Sequence, residues 1–392
     1  MTRKSFLVLL LCFSPLAWGQ WNFTPGVELG IRQYNPDAAR EQQEDNVELD
    51  PSVFFEWDYA DQSTGVSAGI LPVVTIAADN SAIPDFDMRE FYLAKEFEHF
   101  QLRVGFNTLF WGVAESRHLV DIVNQRVLVR NLDGEQKLGE LIFQYDYYIE
   151  NGTLSLLYLP YFRPQDYSEP DERLSLPLEV IRENYVGQSK QDRESFVLRY
   201  SGVWDNWDIG SYFFHGLDRN PAFELTDEQG FTANYSQLDQ VALDVQYTAS
   251  RWLGKGEGVY REHALGGTSW AYVIGGEYYF YGIFAGAKDL SLLVELHRDT
   301  DATARSNQIY RNASFVGTRL AWNDIDDTSF LAGALIDNHG DSWAIKAEYE
   351  TRLSNQLSLD IEARLFLKQA ENHPFYLYRD DDFIEVRLMY YL

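Results

Sequence analysis

Between Trp343 and Leu367 the chain reads WAIKAEYETRLSNQLSLDIEARLFL, and its residues sort by parity. Trp343, Ile345, Ala347 and Tyr349 hold one set of alternate positions, and Lys346, Glu348, Glu350 and Arg352 hold the other. After the polar break Ser354-Asn355-Gln356, Leu357, Leu359, Ile361, Ala363, Leu365 and Leu367 alternate with Ser358, Asp360, Glu362 and Arg364. Strict period two over about ten residues describes a strand with two different environments, one apolar and one charged.

The pattern runs from end to end. Trp21, Phe23, Val27, Leu29 and Ile31 alternate with Asn22, Thr24, Glu28 and Arg32. Leu290, Leu292, Val294 and Leu296 alternate with Asp289, Ser291, Glu295 and His297. About 18 such segments can be placed. They begin near residues 21, 47, 64, 88, 100, 140, 153, 193, 206, 236, 251, 269, 288, 313, 328, 342, 357 and 382. The segment at 88–98 is irregular, because Arg89 and Lys95 share a parity with Phe91 and Leu93, and 206–216 is weak. Counts of about 14 or 16 strands therefore also fit.

Short links, as at 98–99, 150–152 and 204–205, alternate with long ones, as at 33–46, 111–138, 163–192 and 217–234. Short periplasmic turns at one end, long extracellular loops at the other and an even strand number describe an all-β fold, an antiparallel transmembrane β-barrel. Backbone polar groups cannot stay unpaired in lipid, so a membrane sheet must close on itself. Lipid would then touch the apolar parity and the lumen would receive the charged one. The alternative is a soluble β-sandwich. Small residues on the apolar parity, such as Ala332, Ala334, Gly256 and Gly258, suit lipid better than a close-packed core.

The first residues place the chain. Arg3 and Lys4, the apolar run Ser5–Ala17 and the small-x-small site Ala17-Trp18-Gly19 read as a secretory signal peptide over 1–19, leaving 20–392 as one barrel domain. Cys12 lies inside the signal, so the mature chain would carry no disulfide or thiolate site. Lys and Arg total 32 against 60 Asp and Glu; removal of Arg3 and Lys4 leaves 30 against 60, a net charge of −30. That excludes a nucleic-acid footprint and fits an acidic mouth or a cation-attracting interior. The expected location is the bacterial outer membrane, and the expected partners are outer-membrane lipids and lipopolysaccharide, the barrel-assembly machinery and small-molecule solutes.

A barrel of about 18 strands is too wide for its own side chains to fill. The segment Trp111–Leu138 carries Val113, Leu119, Val120, Ile122, Val123, Val127, Leu128 and Val129, too apolar for a free surface loop. It also carries Glu115, Arg117, Asp121, Arg126 and Arg130. It reads as a loop folded into the lumen that constricts it; two extra strands or an outward hairpin are the alternatives.

The overall pattern resembles porins, whose third loop forms the constriction. More specifically, REFYL (Arg89–Leu93), RVGFNTLFWG (Arg103–Gly112), DIVN (Asp121–Asn124), LLYLPYFRP (Leu156–Pro164), LDQVALDVQYT (Leu238–Thr248) and RDDDFIEVRLMYYL (Arg379–Leu392) resemble a poorly characterised family of proteobacterial outer-membrane barrels. The resemblance implies the fold and no particular substrate. Such barrels commonly end in Phe; this chain ends in Leu392, with Tyr390 and Tyr391 close by for the assembly machinery.

Lys255, Glu257, Arg261, Glu277, Glu295, Arg319, Lys346, Glu348, Arg352, Glu362, Arg364, Glu385 and Arg387 are the expected pore-lining charges. Opposed basic and acidic rows would set a transverse field across the pore. Alternatively they pair across strands and stiffen the wall. The seven histidines stand at no metal-ligand spacing, no H-E-x-x-H or G-x-S-x-G occurs, and no cofactor or metal is expected. His297, between Glu295 and Asp299, is the one candidate base, and Asp380-Asp381-Asp382 the one candidate cation loop. The expected function is non-enzymatic: a porin-like channel for passive diffusion of small solutes, weakly cation-selective. A barrel for hydrophobic or lipid-like compounds would show an apolar path inside the lumen. An outer-membrane hydrolase would show a Ser–His hydrogen bond.

Overall fold

The computed structural model describes residues 20–43, 45–186, 194–227, 229–264, 266–286, 288–301, 309–339 and 342–392; the signal segment 1–19, with Cys12, lies outside the described residues. Its first seven strands are β1 (Gln20–Tyr34), β2 (Val47–Asp61), β3 (Val66–Thr75), β4 (Phe86–Glu96), β5 (Phe100–Asn107), β6 (Glu140–Ile149) and β7 (Gly152–Leu159). After β8 (Val180–Tyr185) come β9 (Ser195–Trp204) and β10 (Trp207–Leu217), then the short β11 (Ala222–Leu225) and β12 (Phe231–Tyr235). The chain continues through β13 (Gln237–Thr248), β14 (Trp252–His263), β15 (Gly267–Gly282), β16 (Lys288–Asp299) and β17 (Asn312–Ala321). It ends with β18 (Ser329–Asp337), β19 (Trp343–Ser354), β20 (Leu357–Leu367) and β21 (Phe383–Tyr391).

All but β8, β11 and β12 form one 18-stranded antiparallel sheet. It closes where β1 pairs with β21, from Gly26↔Tyr391 to Tyr34↔Phe383. Each barrel strand falls on one of the alternating segments. The three remaining strands make a small separate sheet, with β8 parallel to β12, on the long-loop end. They fall on 163–192 and 217–234, which the alternation marks only as long links. These strands run only four to six residues, and VIRENY in β8 has no period-two pattern to detect.

The irregular segment at 88–98 has a local cause. Pro72 cannot donate a ladder hydrogen bond, and the β3–β4 register shifts between Leu71, opposite Glu90, and Pro72, opposite Met88. Arg89 is the extra residue. The bulge flips the parity, so Asp87 and Arg89 reach interior partners while Phe91 and Leu93 beyond it face outward, more than half exposed. Lys95 closes the strand with its ammonium over the Phe97 ring.

Trp21, Phe23, Val241, Ile274, Val294, Leu296 and Ile384 make an exposed apolar belt of a kind that water-soluble proteins do not carry. Aromatic pairs such as Trp252–Tyr278 and Phe23–Trp57 sit toward its edges, at girdle depth. Ile274 lies midway along β15, opposite Gly256 and Leu296 and 57% exposed. Ile274→Arg should cost about 2–4 kcal/mol of folding stability in bilayers. Ile325→Arg, on the 90%-exposed turn after β17, should change it by less than about 0.5 kcal/mol. Refolding titrations followed by heat-modifiable migration measure the difference; equal stabilities would place Ile274 away from lipid.

The inner face departs from the expectation of a uniformly charged parity. From β6 to β15 it carries Ile142, Leu157, Leu159, Val197, Phe214, Leu238, Ala242, Val259, Ala271 and Val273, all buried. In β7 both parities are apolar: Leu154 and Leu156 face out, Leu157 and Leu159 in. The reason is a second hydrophobic partner inside the barrel. Leu119, Val120, Ile122 and Val123 of the 108–139 segment pack onto this half of the wall.

Candidate functional site: a segment fastened across the lumen

The segment between β5 and β6 is tied together before it is tied to the wall. Asn124 accepts the Leu109 N–H at 2.8 Å and donates to the carbonyls of Asn107 (2.8 Å) and Leu138 (2.9 Å), closing its neck. Residues 125–138 form a narrow hairpin, with Val127 N–H on the Gln136 carbonyl at 2.8 Å and an isolated bridge between Arg126 and Lys137. The turn is Asn131-Leu132-Asp133-Gly134. Asn131 Oδ1 accepts the Asp133 N–H, and Gly134 takes a φ of +78°, the left-handed region that a side chain disfavours.

Two glutamates hold the near side. Glu257 on β14 accepts the backbone N–H groups of Val113 (2.6 Å), Ala114 (2.8 Å) and Val120 (3.1 Å). Glu295 on β16 accepts those of Glu115 (2.6 Å) and Ser116 (2.9 Å), and the Ser116 hydroxyl at 2.6 Å. The hairpin tip is held by other strands. Asp133 bonds Lys346 on β19 and, at 2.5 Å, Arg364 on β20. Arg130 donates to Asp50 on β2 at 2.5 Å, and Arg32 on β1 donates to the Val129 carbonyl at 2.7 Å. Burial alone would raise the Asp133 carboxyl, but Arg364 and Lys346 outweigh it and hold the group well below the ordinary aspartate value.

The other sequence-predicted residues stand mostly in pairs. Lys255 meets Glu277 at 2.6 Å, and Arg319 meets Glu115 at 2.7 Å and Glu277 at 3.7 Å. Lys346 also pairs with Glu348, and Arg364 with Glu362. Arg387 bridges Glu28 and Glu385, and Glu385 takes Arg32 at 2.6 Å. Asp299 receives Arg117 at 2.6 Å and Arg261 at 3.2 Å. Asp121 pairs with Lys137, while Arg126 donates to the backbone carbonyls of His118 and Asp121. Acid and base mix along each strand, while across β19, β20 and β21 like stands beside like, Lys346 opposite Arg364 and Glu348 opposite Glu362, itself opposite Glu385.

Three expectations change. Glu257 and Glu295 face the interior, but their oxygens are occupied by backbone N–H groups, so they act as clamps for the segment. Arg352 stands at the short-turn rim, 60% exposed and paired with Asp327 at 2.7 Å, because β19 ends there. The aspartate triplet binds protein groups: Asp381 receives Arg173 at 3.0 Å and Asp382 the Phe366 N–H at 2.6 Å. Among the described residues no group of three His, Cys, Asp or Glu side chains could hold a metal ion.

A Ser–His contact exists, with Ser116 Oγ 2.8 Å from His297 Nε2. Among the described residues it has no orienting carboxylate beside it. The hydroxyl donates to Glu295, and His297 Nδ1, where an orienting carboxylate would sit, is buried and has no hydrogen-bond partner among the described residues. The trio therefore reads as part of the clamp. Sequence alone assigns no role to Asn124 or Lys137. It places Arg32 on the charged parity and Asp299 beside His297, without showing their partners, and Asp133 in the Asp-Gly of a tight turn.

Between the hairpin, the far wall and the external loops lies a cavity of about 270 Å³. Leu132, Asp133 and Tyr310 border it, as do Phe315, Leu331 and Leu335 on β17 and β18, Lys346, Arg364 and Phe366 on β19 and β20, and Phe375. Phe315 lies across Gly333, where a Cβ would fall 2.2 Å from its ring.

No family model matches the sequence, and no curated protein sequence matches it. Solved structures do. Wzi of Escherichia coli, described as an outer-membrane protein involved in group 1 capsule assembly and a carbohydrate-binding β-barrel, aligns at 10% identity with a TM-score of 0.57, over 94% of this chain and 83% of that one. A BenF-like porin from Pseudomonas fluorescens aligns at 11% identity with a TM-score of 0.57, over 95% of this chain and 98% of that one. The chain thus has the fold of outer-membrane β-barrels. With its closed sheet and apolar belt, that fold points to a bacterial outer membrane.

Proposed function

We propose that the chain is a porin-like outer-membrane channel for small solutes, with residues 111–138 setting its bore. One observation carries this reading. The segment crosses the lumen from clamps on β14 and β16 to ion pairs on β2, β19 and β20, which narrows a barrel that its own side chains could not fill.

Selectivity is weak and favours cations. Asp37, Glu41, Asp45, Asp166, Glu169, Asp171, Glu224 and Asp227 are exposed on the long-loop end, while interior bases are matched by acids. The reversal potential across a KCl gradient in a planar bilayer tests this. It should show cation preference at about 0.1 M that fades by about 1 M, as the Debye length falls from about 10 Å to about 3 Å. A clear anion preference at the lower salt would overturn it. The apolar interior patch of Leu293, Phe315, Leu331 and Leu335 favours a second element, passage of solutes with an apolar part.

A further inference from the structure

Lys346 and Arg364 stand directly opposite each other on β19 and β20, and Glu348 and Glu362 form the next pair in register. Each base already pairs along its own strand, Lys346 with Glu348 and Arg364 with Glu362. Even so, the two bases converge on one further oxygen, Oδ2 of Asp133. That carboxylate is not part of the wall. It arrives on a tight turn at the tip of the 125–138 hairpin, whose other end is closed by Asn124 on the Asn107 and Leu138 carbonyls. The wall therefore presents a two-base socket for a carboxylate. The socket opens onto the 270 Å³ cavity, whose other sides include Leu132, Phe315, Leu331, Leu335, Phe366 and Phe375. This volume is just below the range of about 300–1,000 Å³ usual for small-molecule sites.

We infer that this is a binding site for a small monocarboxylate with an apolar body, and that Asp133 is a tethered stand-in for the solute's carboxylate. The solute's carboxylate replaces Asp133 between Lys346 and Arg364, one anion for another, so the socket's charge is unchanged. Its hydrocarbon part covers Phe315, Leu331 and Leu335. Displacing Asp133 frees the hairpin tip from β19 and β20, which couples occupancy to the bore. An intramolecular competitor keeps binding weak, as passage through a channel requires. This inference rests on the channel reading for its purpose, though not for the binding itself.

The test is calorimetric titration of the folded full chain in detergent with 3-phenylpropionate, its neutral amide and 3-phenylpropylammonium. Heat-modifiable migration certifies each variant as folded. The carboxylate should bind at least about tenfold more tightly than the amide, and the ammonium more weakly than either, since a bidentate or two-base carboxylate contact is lost. Asp133→Asn should tighten carboxylate binding by about tenfold or more, the scale of removing a competitor tethered at millimolar effective concentration. Lys346→Gln with Arg364→Gln should abolish the preference for the carboxylate. Equal binding of acid and amide, or no tightening in Asp133→Asn, would overturn the inference, as would no binding in either wild type or Asp133→Asn. Planar-bilayer conductance of the same preparation separates the two readings. A conducting barrel without carboxylate preference sinks only the site, whereas carboxylate binding without conductance sinks only the channel.

Discussion

Replacing residues 117–134 with a short Gly/Ser link should raise single-channel conductance several-fold and admit larger solutes. The deletion removes the hairpin and the apolar stretch that fills the β6–β15 half of the lumen. It also removes Asn124 and with it the hydrogen bonds that close the neck, but leaves every barrel strand in place. The cost is stability. Ile142, Leu157, Leu159 and Phe214 lose their partners and meet water, and Arg32, Asp50, Lys346 and Arg364 lose the loop groups they hold. Fully burying one large aliphatic side chain is worth about 1.5–3 kcal/mol, so the deleted barrel should unfold at lower denaturant while still showing heat-modifiable migration. A folded deletion with wild-type conductance would mean that the segment does not limit flow.

Glu257→Ala should loosen one end of the segment without touching the sheet. Three N–H groups, of Val113, Ala114 and Val120, lose their acceptor, and Val120 is fully buried. An unsatisfied buried donor costs about 1–3 kcal/mol, so the clamp is worth several kcal/mol unless water enters to replace it. Current traces should become noisy, with excursions above the wild-type level, and protease added from the long-loop side should cut near residue 115. Glu257→Gln keeps an acceptor oxygen and should show a smaller effect. Quiet, wild-type traces from Glu257→Ala would show that the other anchors suffice alone.

The strands were legible because lipid imposes a rule on every second residue, and the rule holds around the whole outer face from Trp21 to Tyr390. The exception at Arg89 came from a proline on the neighbouring strand, which local periodicity cannot reveal. The interior was less legible because it has no single solvent. Leu157 and Leu159 point inward onto the folded-in segment, so the inward parity there follows packing and not water. The apolar content of 111–138 did point to a segment that leaves the surface. Its attachment points did not show. Glu257 and Glu295 look in sequence like any lumen acids, and only their meeting with backbone N–H groups makes them clamps. Asp133 reads as a turn residue until Lys346 and Arg364, brought round by the closure of the barrel, reach it. Short polar strands such as β8 carry too little pattern to be found by any periodicity.

The most direct measurement is a cross-link between the hairpin tip and the wall. In a Cys12→Ser background the described sequence has no other cysteine, so Asp133→Cys with Lys346→Cys supplies the only reactive pair. A short bis-maleimide applied to the folded barrel in a planar bilayer, with mass spectrometry of the product, reports where the tip lies and what it does to the current. If the segment crosses the lumen and sets the bore, the link should form in high yield and leave the main conductance level unchanged, because it fixes the segment where it already is. Failure to cross-link in a folded, conducting barrel, or a link that shuts the current, would place the segment elsewhere and contradict the account.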